Sequence, residues 1–263
     1  MRTYRIGALA LLLPLALLAG CSDDNPTGPG RGQLRVQMTD APAEIQAVNL
    51  VVTEVSARTE TSDTTSGWQI LNATAQTYNL LSLQNGVFAT IGDASVPAGT
   101  YTQVRLKLGA GSTIVVDGVT YPLTVPSGMQ SGLKLNGSFN VPAGGTTDIA
   151  LDFDASRSII QNGAGDYILK PVVKIMGVSS AGAIKGVVQP AGVTTSIVAV
   201  VADTLGTTVA AADGKFTLSV LPAGTYTLRF DPASTAYRDT VLTGIVVSAG
   251  STTDVDTVAL TLQ

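Results

Sequence analysis

Apolar and polar residues alternate along most of this chain. The segments 34–38, 102–108 and 149–153 each place an apolar residue at every second position. A period of two is typical of β-strands with one buried face, whereas an amphipathic helix repeats every 3.6 residues. No segment keeps the helical spacing over three turns. The pattern therefore predicts an all-β fold.

Turn residues divide the alternating segments into separate strands. Asp117 and Gly118 stand between two apolar runs, and Asp-Gly suits the positive φ angles of a type I′ turn, so we predict a hairpin over residues 114–121. Short helical turns are expected at residues 78–83 and 156–160. In the strand that begins at Val48, we place Val51 and Val55 on the face opposite Val48, so that both faces are covered.

Two domains are predicted, because the alternation stops at residues 178–182, where small residues predominate. We expect two β-sandwich-like domains, a larger one over residues 33–177 and a smaller one over 182–263. The phrase Pro-Ala-Gly-Thr-Tyr-Thr occurs in both, starting at Pro97 and at Pro222. Proline followed by glycine favours a type II turn with a positive φ at the glycine, which would start a strand.

A second phrase recurs at residues 142–148 and 248–254, where both copies contain Ala-Gly and end in Thr-Thr-Asp. The distance between the first and the second phrase differs between the two halves. The halves therefore share turn chemistry but are not simple duplicates.

The first 32 residues follow a different pattern. Arg2 and Arg5 precede an apolar run of about 14 residues, which resembles a secretory signal and is shorter than the ~20 residues that cross a bilayer. We expect residues 1–20 to be a cleaved signal peptide. Cys21 follows the small residues of the predicted cleavage site, as the lipid acceptor of a bacterial lipoprotein does. Residues 21–32 are rich in Pro and Gly and are predicted to be a tether.

These features predict a location in the cell envelope, with a membrane as partner through lipid on Cys21. In bacterial lipoproteins, a non-acidic residue such as Ser22 after the cysteine is associated with sorting to the outer membrane. We therefore expect an outer-membrane location.

Composition excludes several function classes. The chain has 15 basic and 19 acidic residues, and removal of the signal takes away two of the basic residues and none of the acidic ones. An acidic protein is a poor ligand for nucleic acid, which needs a concentrated basic patch. There is no histidine, so the Ser-His-Asp and Cys-His catalytic sets are absent, as is the commonest transition-metal ligand.

Several motifs in fixed order resemble a known family. They are Met-Thr-Asp-Ala-Pro at 38–42, the segment 97–108, the segment 126–135, Leu-Asp-Phe-Asp at 151–154 and Leu-Lys-Pro-Val at 169–172. Together, over residues 32–177, they are similar to the bacterial lipoprotein family of domain of unknown function number 4382. This resemblance implies no particular activity.

The C-terminal part, residues 182–263, resembles the carboxypeptidase regulatory-like domain, a transthyretin-like β-sandwich. The similar segments are 184–188, 213–216 and 221–226. The usual Gly-x-Pro-Leu-x-Gly-Ala stretch is absent, and residues 190–192 fill its place only in part. The resemblance implies a fold that is grouped with carbohydrate-binding-like domains.

Acidic residues supply a candidate metal site. Asp148, Asp152 and Asp154 lie on one face of a predicted strand, and Ca²⁺ prefers such oxygen ligands. The segment does not match a calcium-binding EF-hand loop, because Arg157 stands where that loop needs glycine. We favour a different interpretation, a solvated acidic face paired with Arg105, Lys107 or Arg157.

Two catalytic alternatives also arise. Ser131 and Lys134 match Ser-x-x-Lys, but the context predicts a loop and a strand instead of the helix that this acylation motif needs. Two of Asp40, Asp152 and Asp154 could act as the paired acids of a glycoside hydrolase.

The aromatic side chains offer candidate ligand contacts. Trp68 fits either a core anchor, which we favour, or an exposed sugar platform. Tyr101 and Tyr121 are predicted to lie at solvated or edge positions.

The sequence predicts a non-enzymatic, lipid-anchored envelope protein with a binding or structural role and no catalytic residue. The alternatives are a module that binds carbohydrate or another envelope polymer, and a carboxylate-based hydrolase. The expected partners are a carbohydrate or another envelope protein, and not nucleic acid. No cofactor is predicted apart from the candidate calcium.

Overall fold

The computed structural model describes residues 30–41, 45–60, 67–126, 131–201 and 204–263. Within these ranges the chain is built almost entirely of β-strands, which confirms the predicted fold class. The predicted helical turns are also present, as a 3₁₀ turn at Leu80–Leu83 and a short helix α1 at Ala155–Ser158. The signal peptide, Cys21 and the tether up to residue 29 lie outside the described residues.

The first sandwich packs a smaller sheet against a larger one. Its strands are β1 (Arg31–Ala41), β2 (Ala47–Thr59), β3 (Trp68–Asn72), β4 (Gln76–Asn79), β5 (Ala89–Pro97), β6 (Gly99–Leu108), β7 (Thr113–Val116), β8 (Val119–Thr124), β9 (Leu133–Val141), β10 (Thr146–Asp154), β11 (Ile159–Gln161), β12 (Tyr167–Leu169) and β13 (Val173–Gly177). The smaller sheet has the order β13-β10-β1-β5, and the path of the larger sheet is β11-β12-β8-β7-β2-β6-β9, with β3 and β4 also paired to β2.

The second sandwich follows a short 3₁₀ turn at Val178–Ser180. Its strands are β14 (Gly182–Gln189), β15 (Thr195–Val201), β16 (Thr204–Val209), β17 (Lys215–Leu221), β18 (Gly224–Pro232), β19 (Thr240–Val247) and β20 (Thr252–Ala259). One of its sheets has the order β17-β14-β20, and the other has the order β16-β15-β18-β19.

Each sandwich encloses its own apolar core. Phe153 is fully buried in the first core, among aliphatic side chains from both sheets. Phe216 and Phe230 meet edge to face in the second, with ring centroids 5.5 Å apart. Edge-to-face contact is a favoured arrangement of aromatic rings. The alternation seen in the sequence thus separates core residues from outward-facing ones in both sandwiches.

The repeated Pro-Ala-Gly-Thr-Tyr phrase forms a corner at which the chain passes from one sheet to the other. It joins β5 to β6 in the first sandwich and β17 to β18 in the second. The hydroxyl of Tyr101 donates to the carbonyl of Pro97, and the hydroxyl of Tyr226 donates to the carbonyl of Pro222, both at 2.9 Å. Both rings are buried, so each corner is fixed by a hydrogen bond inside the core.

The turn geometry of this phrase was predicted only in part. Gly99 has a φ of 148°, as expected for a glycine-dependent position, but Gly224 does not have a positive φ. In the second sandwich the chain bends earlier, because the register shifts between Gly182 and Ile184 and leaves two residues of β17 opposite one of β14. The second of these two residues, Val220, takes the positive φ of 56°.

The other repeated phrase is also a sheet-switching corner, between β9 and β10 and between β19 and β20. Thr147 Oγ1 donates to the carbonyl of Asn140 at 2.8 Å, and Thr253 Oγ1 donates to that of Val246 at 2.6 Å. After each corner the new strand pairs in parallel with the first strand of its sandwich. The two sandwiches therefore share one framework, in which β1, β5, β6, β9 and β10 correspond to β14, β17, β18, β19 and β20.

Loss of a corner tyrosine hydroxyl should destabilise the fold without disturbing the core. We expect Tyr101→Phe and Tyr226→Phe each to lower the free energy of unfolding by about 1 kcal/mol, because a buried proline carbonyl loses its donor. Urea denaturation of each variant measures this difference. Tyr121→Phe is the matched control, since that ring is 37% exposed. An equal loss in the control would contradict the role assigned to the corner hydroxyls.

Candidate functional site

Trp68 lies on the outward face of the larger sheet and not in the core. The guanidinium carbon of Arg105 lies 4.2 Å from the centroid of its ring, and that of Arg58 lies 5.5 Å away. Both distances are within the range of cation–π attraction. The ring is half-buried, so the core position that we favoured is wrong.

Glu54 holds the neighbouring cations in place. Arg105 Nη2 donates to Glu54 Oε1 at 2.9 Å, and Lys107 Nζ donates to Glu54 Oε2 at 2.8 Å. Burial alone would raise the pKa of Glu54, but hydrogen bonds from Lys107, Ser56 and Arg105 outweigh it and lower that pKa. Arg105 also donates from Nε to Ser56 Oγ at 3.1 Å. The Arg105 guanidinium beside Trp68 is therefore fixed before any ligand binds.

Strand pairing aligns these side chains on four neighbouring strands, β3, β2, β6 and β9. Arg58 pairs with Trp68 across β2 and β3, and Arg105 pairs with Lys134 across β6 and β9. Lys134 is exposed, which fits the prediction of a strand at this position. We call the outward side chains of Arg58, Trp68, Arg105, Lys107 and Lys134 the cationic face.

The two candidate tyrosines occupy different environments. Tyr101 is fully buried, so its predicted exposure is wrong. The reason is that its ring stacks on Phe139 at 5.7 Å and its hydroxyl closes the corner described above. Tyr121 is exposed as predicted and packs at 5.2 Å against Tyr167.

The three aspartates of β10 share one face, but they do not form a common site. Asp148 forms an ion pair with Arg35 at 3.3 Å, while Asp154 accepts from the backbone amide of Arg157 at the start of α1. Among the described residues, no group of three or more Asp, Glu, His or Cys side chains is arranged to hold a metal ion. The candidate calcium site at Asp148, Asp152 and Asp154 is therefore not formed in the described part of the chain.

The alternative pairing of these aspartates is also only partly observed. Arg157 Nη1 lies 3.8 Å from Asp154 Oδ2, as predicted. Arg105 and Lys107, in contrast, pair with Glu54 on the other sheet of the sandwich.

Asp152 instead meets Asp40 at a small polar cavity between the two sandwiches. Asp40 Oδ1 accepts from the backbone amide of Ala155 at 3.1 Å, while its buried Oδ2 makes no hydrogen bond of normal geometry. The cavity has a free volume of about 10 Å³, the space of roughly one water molecule. It is lined by Thr39, Asp40, Asn85, Gly86, Asp152, Gly206, Thr207, Thr217, Leu218 and Ser219.

Burial shifts the titration of both carboxyl groups. It raises the pKa of Asp40 to about 8, while the hydrogen bond from the Ala155 amide and the nearby side-chain amide of Gln84 act in the opposite direction. It raises the pKa of Asp152 to about 7, where Lys174 acts in the opposite direction and Asp154 adds to the increase. Asp40 is therefore mainly protonated at neutral pH, because a buried carboxyl loses more by ionising than an exposed one.

The paired acids do not form a glycosidase site. A hydrolase of this class holds a sugar between its two carboxyl groups and keeps one of them ionised. The cavity at Asp40 and Asp152 has room for one water and none for a sugar ring. These carboxyl groups lie at a contact between sandwiches and do not face a substrate cleft.

The contacts that close this cavity were missed at the level of sequence. Asn85 Oδ1 accepts from Thr208 Oγ1 at 2.8 Å, across 123 residues of chain. Beside it, Ala150 and Ala181 pack with Val220, the residue displaced by the bulge in β17. No local pattern marks any of these residues, because the residues that meet here are distant from each other in sequence.

No helix in the described ranges has the length and hydropathy needed to cross a bilayer. The predicted anchor, Cys21, lies outside those ranges.

Three solved structures match this chain over most of its length. The Bacillus anthracis TIE protein matches at 13% identity and a TM-score of 0.23, over 89% of this chain and 34% of that protein. The minor pilin GBS52 of Streptococcus agalactiae matches at 13% identity and a TM-score of 0.23, over 88% of this chain and 96% of that pilin. The shaft pilin SpaA of Lactobacillus rhamnosus GG matches at 9% identity and a TM-score of 0.23, over 88% of this chain and 98% of that pilin. Similarity at this level carries no functional information.

No curated protein matches the chain significantly. A family model does match, the domain of unknown function DUF4382, over residues 31–171. The match covers more than half of the chain and spans the first sandwich from the start of β1 to the segment after β12. The chain therefore belongs to the DUF4382 family.

Proposed function

We propose that this protein is a non-enzymatic component of the cell envelope, anchored by lipid on Cys21, that binds an envelope polymer through its first sandwich. The signal-like residues 1–20 and the Pro- and Gly-rich tether support the anchor. The non-acidic Ser22 supports the outer membrane as its location. Residues 33–177 then form the binding domain, and residues 182–263 form a transthyretin-like domain that packs beside it.

One observation carries the proposal of binding without catalysis. The two carboxyl groups with the most strongly raised pKa values, Asp40 and Asp152, border a cavity with room for one water. The cationic face, in contrast, lies on the outside of a sheet and presents aromatic and charged groups to the solvent. The side chains of the cationic face can therefore contact a large partner, whereas the carboxyl groups of Asp40 and Asp152 cannot.

The lipid anchor is tested by metabolic labelling in a bacterial host. We expect the wild-type chain to incorporate labelled palmitate and to fractionate with membranes. Cys21→Ala should lose the label and leave the membrane fraction, whereas Ser22→Ala should keep both properties. If the wild-type protein fractionated with membranes but incorporated no labelled palmitate, lipid anchoring at Cys21 would be contradicted.

A further inference from the structure

We infer that the cationic face binds an anionic polysaccharide, with Trp68 in contact with a sugar ring and the surrounding cations in contact with its acidic groups. This inference rests on the proposed function and names the ligand chemistry of the same domain. It concerns the outward side of β3, β2, β6 and β9.

The charge of this face opposes that of the whole chain. The protein has a formal net charge of −4, yet four cations, Arg58, Arg105, Lys107 and Lys134, share this side of the sheet. Glu54 lies among these four cations, and its carboxylate already forms ion pairs with Arg105 and Lys107. A local excess of positive charge on an acidic protein is typical of a surface that recognises an anion.

The strand register places two like charges directly opposite each other. Arg105 on β6 is the cross-strand partner of Lys134 on β9. Like charges at such a position destabilise a sheet, and they are relieved when an anion lies between or over them. This cross-strand pair is therefore one that a bound anion would stabilise.

The other side chains of the face favour a sugar polymer over other polyanions. Trp68 supplies an aromatic surface, and the sheet is fixed beneath it by the Arg105–Glu54 ion pair at 2.9 Å. Beside Arg58, Gln103 and Asn136 pair across β6 and β9, and Gln103 Nε2 donates to Asn136 Oδ1 at 2.7 Å. Amides suit the hydroxyl groups of a sugar, since they both donate and accept hydrogen bonds.

Trp68 is the single tryptophan of the chain, so its fluorescence reports directly on this face. The mature chain, in a non-ionic detergent, is titrated with polygalacturonate, with neutral dextran and with a single-stranded DNA oligonucleotide. We expect polygalacturonate to change the Trp68 emission with saturation, and the affinity to fall as salt is added because ion pairs are screened. Dextran should give no saturable change.

Lys134→Gln should weaken polygalacturonate binding by roughly three- to tenfold, as expected for loss of one exposed charge contact. Lys170→Gln, which changes an exposed lysine outside the four strands, should bind like the wild type. A flat response to polygalacturonate, or equal affinities for Lys134→Gln and Lys170→Gln, would overturn the inference. Equal affinity for the DNA oligonucleotide would overturn its assignment to a polysaccharide. None of these results affects the palmitate test, so failure of this inference and failure of the anchor are distinguishable.

Discussion

Asp40→Asn should make the protein more stable at pH 8 than the wild type, by on the order of 5 kcal/mol. The substitution keeps the shape of the side chain and removes its ionisation. Asparagine retains a side-chain oxygen that can accept from the backbone amide of Ala155, as Asp40 does at 3.1 Å. A gain of this size is a large fraction of the 5–15 kcal/mol that stabilises a typical protein.

The sign follows from proton binding. Asp40 has an ordinary pKa of 3.8 in the unfolded chain and a pKa of about 8 in the folded protein. Between these values the folded state holds a proton that the unfolded state has released, so the free energy of unfolding falls as pH rises. The contribution of Asp40 is fully favourable below about pH 4, is lost progressively up to about pH 8 and is constant above that.

The measurement is the free energy of unfolding in urea at several pH values from 4 to 9, compared between variant and wild type. The difference removes the contribution of Glu54, which titrates in both proteins. It should be near zero at pH 4 and should rise at most about 1.4 kcal/mol per pH unit. Asp148→Asn is the matched control, since it makes the same substitution at a partly exposed ion pair outside the cavity. A difference that stays constant with pH would mean that Asp40 ionises normally in the folded protein.

Gly32→Ala and Gly182→Ala should each destabilise the fold by about 3 kcal/mol, because no space exists for a methyl group. A Cβ at Gly32 would meet the carbonyl oxygen of Pro142, and one at Gly182 would lie 2.5 Å from that of Ser248. The obstructing atoms belong to the backbone and cannot move away as a side chain can. Pro142 and Ser248 begin the two copies of the same corner, so the framework shared by the sandwiches predicts both losses.

Gly163→Ala is the matched control for these two variants. A Cβ at Gly163 would have no atom within 4 Å, and its φ is not positive. We expect its free energy of unfolding to stay within about 0.5 kcal/mol of the wild type. If Gly32→Ala lowered the free energy of unfolding and Gly182→Ala left it unchanged, the two corners would not be equivalent in their contribution to stability.

Local patterns in the sequence were sufficient to predict several elements. The Asp117-Gly118 hairpin forms between β7 and β8, and both residues take the positive φ of a type I′ turn, 50° and 75°. The alternation in β6 also matches, with Val104 and Leu106 buried and Arg105 partly exposed. These features depend on neighbours within a few residues, so the sequence contains the needed information.

Features that depend on strand register were not predictable. Val55 was expected opposite Val48, but a bulge between Val52 and Glu54 returns it to the core side, where it is fully buried. The same shift turns Glu54 and Arg58 to the outward face. A bulge of one residue inverts every following side chain, and no residue type marks it here.

The candidate sites show the same division. Trp68 and Tyr121 were identified as candidate contacts because aromatic residues are few, and both keep exposed surface. The cationic partners of Trp68 were not identified, since Arg58 and Arg105 lie on different strands and meet only through pairing of β2 with β3 and β6. Asp40 and Asp152 were grouped as acids, but their burial depends on the second sandwich.

Hydroxyl-radical footprinting of the mature chain, with and without polygalacturonate, shows directly whether the protein binds through the cationic face. We expect protection of Trp68 and of the strand residues around Lys134, with Tyr121 unchanged. Protection of Tyr121 and Tyr167 with Trp68 unchanged would place the binding surface elsewhere on the sheet and would contradict binding through the cationic face.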